Sequence, residues 1–164
     1  MKTLVLYRSY HGNTKQIAEA MSRQIQELGH VSSVQDLRRK LPDLQGLDLI
    51  LIGAPTRMAR VTRKALSVLK SLRKRGFGDK PVAIFDTYGP LPATPEELEK
   101  SRPWIIPGAV GIMEKTAKDQ GLNVYGKTLR CEVLGMNGPL KEHEQEKATT
   151  FAKELISSVA GNRV

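Results

Sequence analysis

The stretch Leu4-Val5-Leu6-Tyr7-Arg8-Ser9-Tyr10-His11-Gly12-Asn13-Thr14 decides the fold. Residues 4–7 form a short, unbroken apolar run, the pattern of a parallel strand buried on both faces. Arg8-Ser9 and Gly12 end it. Directly after Thr14, Ile17, Met21, Ile25 and Leu28 recur at helical spacing, and Gly29 supplies a stop. A buried strand, a tight polar loop and an amphipathic helix open a strand–helix–strand crossover.

The pattern continues outward from there. Residues 31–34 predict a weaker strand, and residues 49–52 a strong one ending at Gly53-Ala54-Pro55. Val61, Ala65, Val68, Leu69 and Leu72 make a second helical stripe closed by Gly76. Residues 81–85 predict a fourth strand, with Pro81 tolerable at its first position. Prolines at 90, 92, 95, 103 and 107 predict mainly loop over 86–108, with one helical turn at 96–99. Residues 110–120 predict a helix, and 124–134 a last strand interrupted by Gly126. Ala148, Phe151, Ala152, Leu155, Ile156 and Val159 give a final helix its apolar face. Alternation of this kind folds by right-handed crossovers into a parallel sheet covered on both faces. Five strands suit a doubly wound α/β domain of order 2-1-3-4-5, spanning 1–164 and fraying from about residue 160.

The bulk numbers agree. A chain of 164 residues and 18.2 kDa fits one domain. With 40% hydrophobic and 26% charged residues it reads as globular, and no stretch approaches the roughly 18 apolar residues of a membrane span. Cys131 is the only cysteine, which excludes an internal disulfide or a thiolate cluster; a buried inert thiol is the favoured reading over a reactive one. The first residues are too briefly apolar for a secretory signal, so the expectation is an intracellular, cytoplasmic protein. Lys and Arg number 26 against 17 Asp and Glu, a net charge of +9 that points to an anionic partner.

In doubly wound sheets ligands sit beyond the carboxyl ends of the strands at the switch point, here the loops after Tyr7, Ile52 and Phe85. In the first loop, Ser9, His11, Gly12, Asn13 and Thr14 precede a helix N-terminus, whose unpaired N–H groups make an anion site. An ordinary turn capped by Asn13 or Thr14 is the competing reading. The triphosphate-binding Gly-Lys-Ser/Thr ending and the Gly-x-Gly-x-x-Gly dinucleotide signature are both absent. The second loop, Gly53-Ala54-Pro55-Thr56-Arg57-Met58-Ala59, offers a stiff turn, a hydroxyl, a cation and a polarizable thioether; a solvated surface loop is the alternative. The third, Asp86-Thr87-Tyr88-Gly89-Pro90, pairs a ring face with a close backbone approach, as a flat heterocycle requires, although an ordinary turn reads the same way. His11 is a candidate phosphate or proton donor, or simply a loop histidine. No histidines share metal-ligand spacing, so no metal is expected, and no base stands beside a nucleophile, so no catalytic residue is assigned.

Together these stretches, with Leu134-Gly135 and Gly138-Pro139, resemble the flavodoxin-like proteins over nearly the whole chain. The resemblance implies non-covalent FMN. Ser9, His11, Gly12, Asn13 and Thr14 would hold its phosphate. Pro55, Thr56, Arg57 and Met58 would line one side of the isoalloxazine ring, and Asp86, Thr87, Tyr88 and Gly89 the other, with Tyr88 the stacking candidate. The chain departs from the pattern in places. Tyr10-His11 replaces small residues, and Arg57-Met58 stands where a carrier often has an aromatic. Pro55-Thr56-Arg57 looks more like the FMN-dependent quinone reductases. Flavodoxins are usually acidic, and residues 91–107, with Trp104, exceed what a minimal carrier needs and suit a lid or an oligomer contact.

The leading expectation is therefore an FMN-binding electron carrier between redox partners, with Arg57 raising the flavin potential. The alternative is an FMN-dependent reductase or oxidase of quinones or a related flat substrate. A binding module that kept the fold without flavin is the third. Arg57, Arg60, Arg63, Lys64, Lys70, Arg73, Lys74 and Arg75 fall in one stretch without a carboxylate. A solvated face explains them minimally. Nucleic-acid binding lacks interleaved aromatics and a reading module. Docking of an acidic redox protein or an anionic membrane surface is favoured over it.

Overall fold

The computed structural model describes residues 1–162. Its elements run β1 (Lys2–Tyr7), α1 (Asn13–Glu27), β2 (Val31–Asp36), β3 (Leu49–Pro55), α2 (Arg63–Leu72), β4 (Pro81–Tyr88), α3 (Pro95–Ile105), α4 (Gly108–Asp119), β5 (Asn123–Val124), β6 (Leu129–Glu132) and α5 (Glu144–Gly161). The sheet order is β2-β1-β3-β4-β5, all parallel, as the alternation predicted.

Two layers flank the sheet, and strand pleating decides which residue serves which layer. Ile50, Ile52, Val82 and Ile84 pack with α2 and α4, while Leu49, Leu51, Ala83 and Phe85 pack with α1 and α5. The β2–β3 connection has no helix. It tucks Leu37, Leu44 and Leu47 onto the α2–α4 side instead, which is how so short a crossover still covers the sheet.

The structure keeps the expected interruption of the last strand but shortens its pieces, and it corrects the proline-rich segment. The last strand is two pieces on the same edge of β4: β5 pairs with Pro81 and Val82, β6 with residues 85–88. The interruption falls around Gly126. The proline-rich segment, expected to be mainly loop, holds the 11-residue helix α3. Its start is locally encoded: the Thr94 hydroxyl accepts the Glu97 N–H, Pro95 sits in the first turn, and Glu96 and Glu97 favour the positive end of the dipole. Pro103 falls near its last turn. No residue of α3 is buried, so apolar periodicity could not announce it. At the other end, α5 continues through Ala160 to Gly161; the expected fraying also concerned residues 163–164, which lie outside the described residues. Among the described residues no helix is long and apolar enough to cross a membrane.

Candidate ligand cleft at the switch point

The ends of β1, β3 and β4 open onto one cleft. A small recess of about 50 Å³ is lined by Ser9, His11, Asn13, Thr14, Thr87 and Val133, among others. It adjoins a broader cleft of about 820 Å³ bounded by Tyr10, Pro55, Arg57, Met58, Trp104 and Met136. Among the described residues no Asp or Glu lines either hollow. A still larger open hollow, about 1110 Å³, lies at the opposite end of the sheet near Pro81 and Asn123. It is away from the switch point, where ligands of this architecture sit.

The recess is shaped by α1. Gly12 is its N-cap at φ 89, and no side chain caps the helix, so neither Asn13 nor Thr14 takes the capping role. A Cβ on Gly12 would meet nothing within 4 Å, so the glycine serves the left-handed backbone rather than a tight fit. The Ser9 hydroxyl accepts the Gly12 N–H at 3.0 Å and closes the turn. Thr14 and Thr87 are buried and share a hydroxyl–hydroxyl hydrogen bond of 2.8 Å, which pins the first turn of α1 to the end of β4. Asn13 lies under the 135–139 loop, where a Cβ on Gly138 would stand 2.6 Å from its Oδ1. His11 is on the exposed rim.

The second loop is a hairpin. Arg57 and Arg60 exchange backbone hydrogen bonds of 3.1 and 2.8 Å, with Met58 at φ 49 and Ala59 at φ 63 between them. Positive φ at both central residues defines a type I′ turn, which normally demands Gly or Asn. The turn holds Met58 out in solvent, 76% exposed. Arg57 folds back so that its guanidinium lies 4.2 Å from the centroid of Tyr10, and Arg8 occupies another approach to that ring at 4.1 Å. The two loops are thereby joined through Tyr10.

In the third loop, Thr87, Tyr88 and Gly89 face the cleft and Asp86 does not. Pleating turns Asp86 to the α2–α4 side, where its carboxylate is fully buried. It accepts the Thr56 hydroxyl at 2.8 Å and the Val110 N–H at 3.2 Å, and pairs with Arg130 at 2.9 Å. Thr56 Oγ1 in turn accepts the Ala109 N–H at 2.7 Å. Asp86 and Thr56 thus satisfy the open N-terminus of α4, which has no side-chain cap of its own.

Arg130 carries no signal of its role in the sequence alone. It stands beside Asp86 in the β4–β6 register, donates to the Ile105 carbonyl at 3.0 Å, and covers the Tyr88 ring at 4.1 Å from its centroid. One face of Tyr88 is covered by Arg130, and the residue also lines the small recess. Burial raises the Tyr88 pKa above its ordinary value. Only the cross-strand charge pairing would have revealed Arg130, and that needs the register. Gly89 (φ 115) is forced by contact as well as backbone, because a Cβ there would lie 2.7 Å from the Val133 carbonyl oxygen. Behind the cleft, burial pushes the Cys131 thiol up to about 12.

The molecule is a doubly wound α/β protein whose switch-point cleft is lined, among the described residues, by no Asp or Glu. The chain belongs to the flavodoxin domain family, whose model it matches over residues 4–121. FMN is the cofactor of that family. Among curated proteins it is 32% identical over 89 residues to the flavodoxin-like domain-containing protein BilS of Clostridioides difficile (strain CD3), covering 54% of this chain and 48% of that one. The match thus spans about half the length of that relative. Flavodoxin 2 of Bacillus cereus superposes with a TM-score of 0.73 at 22% identity, covering 96% of this chain and 99% of that one. A flavodoxin from the domain Archaea gives 0.72 at 20% identity, with 98% and 99% covered. The rubredoxin:oxygen oxidoreductase of Desulfovibrio gigas gives 0.66 at 14%, over 98% of this chain but 36% of that one. At these identities the structural likeness shows the fold alone.

Proposed function

We propose that this protein binds FMN in the switch-point cleft and passes electrons between redox partners. The observation that carries the reading is the uncapped N-terminus of α1, opening through a Gly12 turn into a recess without a carboxylate. The donor chemistry suits a phosphate dianion: backbone N–H groups at the positive end of a helix dipole, with the Thr14 hydroxyl and His11 beside them. Pro55, Thr56, Arg57 and Met58 form one wall for the ring system, and Thr87, Tyr88 and Gly89 the other. Bound FMN supplies the electron-transfer chemistry. The residues of this chain hold it, exclude water on the Tyr88 side and present a cation, Arg57, near its edge. Asp86 acts from beneath by positioning Thr56 and, through Arg130, Tyr88. The lone buried cysteine suits a reducing, cytoplasmic compartment.

A second reading, an FMN-dependent reductase of quinones or a related flat substrate, is favoured by one feature. A hollow of about 200 Å³ between Tyr88, Met58 and Trp104 lies against the proposed ring site and is closed by α3. Two measurements test the pair. Adding the purified protein to FMN should quench flavin fluorescence and leave a flavin spectrum on the protein after gel filtration; a colourless protein overturns both readings. Turnover of a nicotinamide donor with a quinone by the loaded protein alone selects the reductase, and its absence the carrier.

A further inference from the structure

Residues 57–75 hold eight cationic side chains and no carboxylate. Among the described residues, none of the eight forms an ion pair, whereas lysines and arginines on α1, α3, α4 and α5 do. The first turn of α2 begins Arg63-Lys64 and contains no acidic residue, so two cations sit against the positive end of that helix dipole. The Thr62 hydroxyl caps the helix by accepting the Ala65 N–H, but among the described residues no carboxylate pairs with Arg63 or Lys64. Positions that break a local rule without a structural compensation mark function.

This end of α2 also borders the cleft mouth, through Arg60, Val61 and Thr62. Three apolar side chains stand out there: Met58 at 76% exposure, Met136 at 83% and Trp104 at 57%. Met58 is held out by a turn whose two positive φ angles are unfavourable for non-glycine residues. Met, aromatic and Arg side chains in one patch are the composition of a protein interface. Charge selects an acidic surface. The apolar stripe of α2, Ala65, Val68, Leu69 and Leu72, is buried in the core, so this helix offers a bilayer no amphipathic face to insert.

We propose that the cleft mouth, with Met58, Trp104 and Met136 flanked by Arg57, Arg60, Arg63 and Lys64, docks an acidic protein. The inference rests on reading the cleft as the cofactor site, so that docking brings the partner to the FMN edge. The test uses an acidic [2Fe–2S] ferredoxin as probe, with basic cytochrome c, phosphatidylserine vesicles and a single-stranded DNA oligomer as comparisons. The protein, with and without FMN, should bind the ferredoxin more tightly than any of the others. Affinity should fall steadily with salt as the screening length shrinks toward about 3 Å at 1 M. The double variant Arg63→Glu, Lys64→Glu should bind the ferredoxin about tenfold or more weakly at low salt. It should keep the wild-type FMN affinity and melt no lower than the wild type, because acidic residues suit a helix first turn. Absent ferredoxin binding, binding indifferent to salt or to the double variant, or a preference for vesicles or DNA would overturn the proposal. Failure of FMN to bind, read by flavin fluorescence on the same samples, would instead overturn the cofactor reading.

Discussion

Arg130 pairs with the fully buried carboxylate of Asp86 at 2.9 Å, and the same guanidinium lies 4.1 Å from the centroid of the Tyr88 ring. One side chain thereby ties the floor of the cleft to its wall, and its bond to the Ile105 carbonyl extends the tie to the end of α3. We expect Arg130→Gln to destabilise the protein by about 3–5 kcal/mol, because it leaves a buried charge without its partner. Adding Asp86→Asn should recover part of that loss. Urea unfolding of the two variants checks both statements, and a double variant no better than the single would show that the pair is not the cause.

The Thr14–Thr87 hydrogen bond predicts non-additive losses. Thr14→Val or Thr87→Val alone strands a buried hydroxyl and should cost about 1–3 kcal/mol. The double variant, with both hydroxyls gone, should be little worse than either single. A thermodynamic cycle from denaturant midpoints measures the coupling.

Two glycines should respond differently to alanine. Gly12→Ala meets no neighbour and carries only the left-handed backbone penalty, roughly 1–2 kcal/mol. Gly89→Ala adds a clash with the Val133 carbonyl backbone to an unfavourable φ and should cost distinctly more. Thermal melts of the two variants side by side decide the order.

Cys131 gives a pH prediction. Its thiol is pushed up from 9.0 to about 12, chiefly by burial. Above pH 9 the unfolded chain releases this proton while the folded protein keeps it. The associated stability is fully present below about pH 9 and is lost as pH rises toward 12. The native protein should resist iodoacetamide at pH 8 and react stoichiometrically in urea, as followed by intact mass. Rapid alkylation of the native protein would refute the buried, protonated thiol.

These residues also show where sequence reading stops. The apolar run at 4–7, the helical stripe of α1 and the strong strand at 49–52 announce themselves because burial on two faces leaves an unmistakable pattern. Together they make the sheet order legible, and the three loops at the switch point follow from it. Asp86 is adjacent to Thr87, yet pleating sends its side chain to the opposite face of β4, the one that Ile84 serves. Arg130, between Leu129 and Cys131, looks like any half-exposed strand cation until register sets it beside Asp86. Helix α3 has caps and charge pairs but no buried face, so only its Thr94-Pro95-Glu96-Glu97 start carries the signal.

In the proposed function, the uncapped start of α1 holds the phosphate of FMN. The direct measurement is a pair of fluorescence titrations, FMN against riboflavin, on the purified protein. FMN should bind saturably and one-to-one, at least about 100-fold tighter than riboflavin, since two charge-assisted hydrogen bonds to phosphate supply roughly the 2.7 kcal/mol required. Equal affinity for the two flavins, or binding of neither, would contradict it.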